Sequence, residues 1–222
     1  MQFDDQLTVA ASIARRDFAW DDMTVFDRYQ DYDTNREDDI EALCDSAKLA
    51  LCIALAEWLV AAFKDHDTTG EAKATVTAFW TIFSDTHMPT YWEIDDDDWR
   101  GPYRGILGMV ITLLNDAVFC LHESPVVGMR TDWMLMYCQI VFEQRDPFAA
   151  WLETAFVALK ALGPGRPAAK WNDPEDPRSI FELPISRDYF GGFGRHDAQH
   201  EVRRIQAFIA HHIPGNEFVE EL

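Results

Sequence analysis

Hydrophobic residues recur along this chain mostly at helical spacing. The clearest stretch runs from Ile40 to Ala62, where apolar residues return every three or four positions. After Leu49 the stretch is apolar on nearly all sides, which is typical of a helix at the centre of a fold. Asn35 can cap this helix, and the acidic residues 37–39 suit the positive end of its dipole. The pattern predicts one continuous central helix.

Other segments share this periodicity. The spacing of apolar residues predicts further helices over 7–18, 71–87, 103–122, 131–144, 147–162 and 196–213. Strands do not alternate with these helices, so neither a Rossmann fold nor a β/α barrel is expected. The one strand that we expect is short, over 180–185. The predicted fold class is all-α, a multi-helix bundle.

Residues 163–194 differ in composition from the rest of the chain. Five of the ten prolines and five glycines fall there, so we expect a long Pro/Gly-rich loop before the C-terminal helix. Such a loop is unusual inside a compact domain and is typical of functional or mobile segments. We predict a single helical domain over 1–222, with a helical core over 1–162, an extended loop or arm over 163–194 and a C-terminal helix over 195–213.

Charge restricts the classes of partner. Lys and Arg number 19 and Asp and Glu number 39, which gives a net charge of −20. Such a charge repels nucleic acid phosphates and anionic membranes and steers basic proteins toward the surface. We therefore expect a basic protein partner, and neither a nucleic acid nor a membrane. The alternative is that the charge serves solubility alone.

The cysteines and the first residues bear on the compartment. Cys44, Cys52, Cys120 and Cys138 form no CxxC pair and lie inside apolar helical stretches, which fits a reducing compartment without disulfides. Residues 1–5 are acidic and do not resemble a signal peptide. No uncharged apolar run approaches the roughly 18 residues that a membrane span requires. We predict a cytoplasmic protein.

The most distinctive segment is 91–99, where four consecutive aspartates lie between aromatic residues. Adjacent like charges do not help folding, whereas Trp and Tyr are frequent at interface hot spots and rim aspartates would steer a basic partner. A solvated loop is the alternative, and a Ca²⁺ loop is less favoured because an EF-hand alternates its ligands and needs a glycine. The predicted partner-binding residues are Tyr91, Trp92, Asp95, Asp96, Asp97, Asp98 and Trp99, together with Asp31, Asp33, Glu37 and Asp38.

Two histidines form a candidate zinc pair. His196 and His200 stand four residues apart, which places them on one face if both are helical. In HExxH metalloproteases a glutamate follows the first histidine, whereas here the residue is Asp197. In the alternative, this segment is a solvated helix start at which Asp197 favours the dipole.

Carboxylates within apolar helices are a second candidate centre. Glu57 and Asp116 interrupt apolar stretches, and His122 follows Asp116. If the three met in the core, they would suggest a metal or acid–base site. In the alternative each carboxylate lies at a helix boundary or pairs with an arginine, for which the candidates are Arg104, Arg130 and Arg145.

Two functions from different classes follow. The first is a non-catalytic acidic binding protein that neutralises a basic partner, such as a bacterial immunity-type inhibitor of a toxin, for example a nuclease. The second is a helical-bundle metal-dependent hydrolase that uses His196, His200 and carboxylates. No motif names a reaction, so we assign neither catalytic residues nor a cofactor.

Overall fold

The computed structural model describes residues 2–17, 25, 33–95, 97–120, 126–143, 145–163, 181 and 183–222. Helix accounts for 63% of the structure and strand for 3%, and the helices pack as a bundle, which confirms the all-α prediction. The α-helices are α1 (Phe3–Leu7), α2 (Ala10–Ile13), α3 (Glu37–Glu41), α4 (Asp45–Ala62), α5 (Glu71–Phe79), α6 (Arg104–Phe119), α7 (Val126–Phe142), α8 (Phe148–Lys160), α9 (Tyr189–Gly192) and α10 (Ala198–His212). Short 3₁₀ helices cover Lys64–His66 and Trp80–Phe83, and the strands are β1 (His87–Pro89) and β2 (Val219–Glu221).

Helix α4 is the centre of the bundle, as its apolar sequence predicts. Every residue of α4 except Asp45, Glu57 and Ala61 is buried. It packs against α2, α5, α6 and α7. Trp58 on α4 places its ring 5.3 Å from that of Phe148 at the start of α8, so α8 also joins this core. The position of α4 explains why its sequence is apolar on nearly every side.

The continuous helix predicted after Asn35 is wrong at its start. Asn35 has a positive φ of 56° and does not cap a helix. Its backbone N–H donates to Asp33 Oδ1 at 2.7 Å. Helix α3 begins at Glu37, and the chain leaves helical geometry before α4 begins at Asp45. Leu43 lies in this break and is buried, so the apolar pattern continues through it and hides it from a periodicity analysis.

The predicted helix over 71–87 is also shorter than expected. Helix α5 ends at Phe79, a 3₁₀ turn follows, and β1 then pairs antiparallel with β2. Met88 stands opposite Glu220 in this two-stranded sheet. The pairing joins segments some 130 residues apart in the printed sequence, so local spacing carries no signal for it.

The N-terminal and C-terminal helix predictions have different outcomes. The expected continuous helix over 7–18 is wrong: α1 ends at Leu7, α2 covers only Ala10–Ile13, and Ala14 after it is extended. Residue 18 lies outside the described residues. The predicted helix over 195–213 is confirmed as α10, which begins at Ala198 and ends before Ile213.

The segment 163–194 is described only in part. Residues 164–180 and 182 lie outside the described residues, so the arm predicted there stays a prediction. Residues 183–194 pack on the core: the backbone N–H of Leu183 donates to Ser46 Oγ at 3.0 Å, and Phe190 is fully buried. Residues 183–185 form no strand, so the predicted strand is wrong over those residues.

Two predictions about environment can be compared with the fold. Within the described part of the chain, no helix has the length and apolarity needed to cross a membrane.

All four cysteines are free thiols, and Cys44, Cys52 and Cys138 are buried. Burial raises the pKa of Cys52 to about 12, so this side chain serves as a small apolar group of the core.

Candidate functional site

The acidic–aromatic loop, residues 91–99, is held to the fold by its second tryptophan. Trp99 is 2% exposed and packs on α6 at Gly108, where an added Cβ would lie 2.9 Å from Trp99 Cβ. The guanidinium of Arg104 lies 4.4 Å from the centre of the Trp99 ring, within cation–π range. Trp99 therefore anchors the loop internally and does not present its ring to a partner.

Trp92, the first tryptophan of the loop, also attaches the loop to the rest of the fold. Trp92 lies 4.6 Å from the ring of Phe218, just before β2, and is half-buried. Its carbonyl accepts a hydrogen bond of 2.6 Å from Asn115 Nδ2 on α6. Tyr91 is 55% exposed and meets Phe119 edge-on. Of the three predicted aromatic contacts, Tyr91 is the one most available to a partner.

The aspartates of the loop face solvent. Asp95, Asp97 and Asp98 are exposed, whereas Asp96 lies outside the described residues. The backbone N–H of Asp97 donates to Asp95 Oδ1 at 3.0 Å, and the Asp97 carboxylate pairs with Arg100. Part of the negative charge of the loop is thus offset by an arginine that follows it directly.

A second group of acidic residues lies before α3 and in its first turn. Asp33, Glu37 and Asp38 are exposed, and Asp31 lies outside the described residues. Between them Thr34 is buried, and its carbonyl accepts a hydrogen bond of 3.2 Å from Gln139 on α7. This contact fixes the acidic segment to α7.

The buried threonine brings in a carboxylate that the sequence did not indicate. The Thr34 hydroxyl hydrogen-bonds to Asp132 on α7. Burial raises the pKa of Asp132, and the negative charges of Glu37 and Asp33 raise it further, although the Thr34 hydrogen bond acts in the opposite direction. We call Asp33, Glu37, Asp38 and Asp132 the acidic face.

Other carboxylates of this region are paired within the protein. Asp39 accepts from Lys160 and from Arg36, and these contacts lower the pKa of Asp39. Lys48 lies 3.4 Å from Glu41 and also contacts Asp45. The region therefore divides into paired carboxylates and the acidic face.

The predicted zinc pair is not on one helical face. Helix α10 begins at Ala198, and Asp197 is its N-cap, accepting from the backbone N–H of His200 at 2.8 Å. His196 precedes the helix, and its Nε2 lies 2.9 Å from the carbonyl of Pro184. The expectation that His196 and His200 share a helix face is wrong because the chain turns into the helix after the first histidine.

The predicted carboxylate centre is divided between separate ion pairs. Asp116 contacts Arg130 at 2.9 Å, one of the arginines expected as partners. Glu57 pairs instead with Arg187, and His122 lies outside the described residues. Among the residues that the structure describes, no group of three or more His, Cys, Asp or Glu side chains is arranged to hold a metal ion.

A cavity of about 300 Å³ lies beside α4, where sequence analysis proposed no cavity. Glu57, Val60 and Ala61 line it from one face of α4, and Lys64 lines it from the 3₁₀ helix that follows. Helix α5 contributes Lys73, Val76 and Thr77. Side chains of α1 and α10, together with Arg187 from the segment before α9, complete the lining.

The floor of the cavity is a fixed ion pair. Arg187 Nε lies 2.7 Å from Glu57 Oε1, and Arg187 Nη2 lies 2.7 Å from Glu57 Oε2. Trp80 Nε1 donates a further hydrogen bond of 2.5 Å to Glu57 Oε1, and Arg187 Nη2 also reaches Asp4 Oδ1. The Glu57 carboxylate and the guanidinium therefore satisfy each other.

The rim of the cavity is basic. Lys64, Lys73 and His212 are exposed there, and none of the described residues forms an ion pair with either lysine. The hydrogen bond from Arg187 lowers the pKa of Asp4, and the charges of His212 and Lys73 contribute. The cavity lining thus carries Lys64, Lys73 and Arg187 against Asp4 and Glu57, in a chain of net charge −20.

Sequence analysis missed the cavity because its charges come from distant parts of the chain. Glu57 stood out as a carboxylate in an apolar helix, whereas Lys64 lies just beyond the end of that helix. Arg187 lies in the segment that was expected to be an arm. Only tertiary packing brings these side chains together.

Three features of the described residues are candidates for function: the acidic face, the loop 91–99 and the cavity. Comparison of the chain with protein-family models, with curated proteins and with solved structures finds no match. The functional proposal therefore rests on the geometry and charge of these features.

Proposed function

We propose that this protein is a non-catalytic binding protein whose acidic face neutralises a basic protein partner. The observation that carries the proposal is the contact between Thr34 and Asp132, which sets an acidic segment beside a further carboxylate on α7. Burial raises the pKa of Asp132, and the negative charges of Glu37 and Asp33 act in the same direction. These carboxylates are therefore close neighbours.

Folding alone does not favour such a cluster. Like charges repel, and a half-buried carboxylate with raised pKa is less stable in its ionised form than one in water. Asp39, which follows Asp38 in the chain, differs because it pairs with Arg36 and Lys160. Such pairing within the protein is the arrangement that stabilises a fold. Among the described residues no Lys or Arg pairs with Asp33, Glu37 or Asp38, so a basic partner would supply a counter-charge to the acidic face and would be steered toward it.

The loop 91–99 supports the same function. Its two tryptophans fix it to α6 and to the segment before β2, so Asp95, Asp97 and Asp98 are presented on an anchored backbone. Preorganised charges lose less conformational entropy on binding than those of a flexible loop. Exposed Tyr91 provides an aromatic contact at the edge of this surface.

The finer proposal concerns the kind of partner. An immunity-type inhibitor of this kind would cover the active site of its toxin, and an enzyme that acts on nucleic acid has a cationic one. A carboxylate surface would occupy such a site as phosphate does. Co-expression with the product of the neighbouring gene tests this version: relief of that product's toxicity supports it, and unrelieved toxicity contradicts it.

Charge variants test the general proposal. We use cytochrome c as a small basic probe and measure its association rate with the protein at low and at physiological salt. The variant Asp33→Asn/Glu37→Gln should slow association about tenfold at low salt, because steering depends on local potential. The control Glu217→Gln/Glu220→Gln removes the same charge from exposed positions near β2 and should change the rate less than about twofold.

The comparison between the two variants decides the outcome. A larger loss in the acidic-face variant, with a weaker salt dependence, supports a localised binding surface. Equal losses in both variants mean that only the net charge matters, and the proposal is then wrong. Circular dichroism and the melting temperature of each variant verify that the fold is retained.

A further inference from the structure

We propose that the cavity beside α4 binds a small organic carboxylate with an apolar tail. The inference is independent of the acidic face. It rests on the shape of the cavity, on the fixed ion pair of its floor and on the basic residues of its rim. No residue of the acidic face lines this cavity.

The charged side chains of the cavity lining include more cations than carboxylates. Lys64, Lys73 and Arg187 bring three cations, whereas Asp4 and Glu57 bring two carboxylates. Arg187 and Glu57 are engaged with each other, so the two lysines are the cations left to receive a ligand. In a protein with 39 acidic residues, two lysines at one rim without carboxylate partners among the described residues favour an anion from outside.

The lining also has an apolar part. Val60 and Val76 are buried side chains of the cavity wall, and Leu7 and Phe208 are half-buried ones. Ligand sites combine such apolar walls with a few polar groups that orient the ligand. Water alone would wet these walls at a cost that a hydrocarbon tail removes.

The ion pair of the floor is also compatible with an anionic ligand. Because Glu57 accepts from Arg187 and from Trp80, its charge is compensated and does not repel an entering anion. Asp4 is the exposed carboxylate that remains near the rim, with its side chain 67% exposed. The Asp4 carboxylate lies near the same cationic side chains that a ligand carboxylate would contact. Because it is exposed, it can turn toward solvent when a ligand enters.

The size of the cavity limits the ligand. About 300 Å³ is at the lower end of the roughly 300–1,000 Å³ found for small-molecule sites. A medium-chain fatty carboxylate or an aryl carboxylate fits this class, whereas a nucleotide or a long-chain lipid exceeds it. The expected orientation places the carboxylate between Lys64 and Lys73 and the tail against Val76 and Phe208.

The test uses sodium octanoate and the full chain. Isothermal titration calorimetry should show one saturable site for octanoate, with octylammonium and inorganic phosphate at least about tenfold weaker. Octylammonium has the tail without the negative charge, and phosphate has the negative charge without the tail. Octanoate should also raise the melting temperature in a concentration-dependent way.

Matched variants locate the site. Lys64→Met/Lys73→Met should weaken octanoate binding at least about tenfold, since both counter-charges are removed and the aliphatic stems are retained. Arg195→Met/Arg203→Met makes the same change in net charge outside this cavity and should alter the affinity less than about twofold. Equal affinity for octanoate and octylammonium, an unaffected lysine variant, or no octanoate binding would each overturn the proposal.

Discussion

Arg187 donates two hydrogen bonds to the Glu57 carboxylate, with Nε 2.7 Å from Oε1 and Nη2 2.7 Å from Oε2. Both side chains are nearly buried, with 13% and 12% of their surface exposed. The pair joins the segment 183–194 to the central helix α4. Removing one partner of such a buried ion pair is costly, because the remaining charge stays out of water without its counter-charge.

The first prediction concerns this pair. Arg187→Met should lower the free energy of unfolding by about 3–5 kcal/mol, since it leaves the Glu57 carboxylate without its counter-charge. Glu57→Leu/Arg187→Met should recover most of that loss, because both charges are then gone. Urea denaturation followed by circular dichroism measures the three free energies.

Asp4 provides the control for this prediction. It contacts the same guanidinium but is 67% exposed, so Asp4→Asn should cost less than about 1 kcal/mol. A loss for Asp4→Asn as large as that for Arg187→Met would show that burial does not determine the strength of this network.

The second prediction concerns the pH dependence that Asp132 contributes. Its pKa is raised by burial and by the charges of Glu37 and Asp33, so the folded state binds the proton more tightly than the unfolded state. Its contribution to stability is therefore greatest below the ordinary aspartate pKa of about 3.9 and is lost as pH rises through the raised value. Asp132→Asn should be more stable than the parent at neutral pH, and the difference should shrink in acid.

Asp39 gives the opposite sign and serves as the control. Its pKa is lowered by Lys160 and Arg36, so its stabilising effect is present at neutral pH and is lost as pH falls through the folded pKa. Asp39→Asn should thus be less stable than the parent at neutral pH, with a gap that closes in acid. Urea denaturation from about pH 2 to about pH 8 spans the ordinary aspartate pKa of about 3.9 and measures both differences. A common sign for the two variants at neutral pH would contradict the assignment.

The third prediction concerns the anchor of the loop 91–99. A methyl group added at Gly108 would lie 2.9 Å from Trp99 Cβ and 3.1 Å from Ile94 Cδ1. Gly108→Ala should therefore lower the free energy of unfolding by about 1–3 kcal/mol through overpacking and should change tryptophan fluorescence. Gly192→Ala meets no heavy atom within 4 Å and should leave both properties nearly unchanged. Similar effects of the two substitutions would show that the loop does not depend on this close approach.

Local pattern was sufficient for the elements whose burial is continuous. The apolar run of α6 and the all-round apolar sequence of α4 each predict a buried helix, and both lie in the core. The break between α3 and α4 escaped detection because Leu43 and Cys44 within it are buried and preserve the spacing. Periodicity reports which side chains face the core, and it does not report whether the backbone remains helical between them.

The candidate sites show the same division. The sequence identified the exposed aspartates of the loop 91–99, because their charge is visible at each position. It did not reveal that Trp99 turns inward, since this depends on the close approach of the loop to Gly108 on α6. It did not reveal Asp132 or Arg187 either, because the role of each comes from a contact with a residue about 100 positions away or more.

The enclosure of α4 has a consequence for how this protein can vary. Ala47, Ala50, Ala54 and Ala56 have no exposed surface, and they set how closely the surrounding helices approach the axis of α4. A larger residue at any of these positions must displace a neighbour, and the displacement passes to the helices beyond it. Sequence drift and design are therefore confined to outer elements such as α10, where the surface away from Ile205 and Ile209 tolerates exchange without any adjustment of the interior.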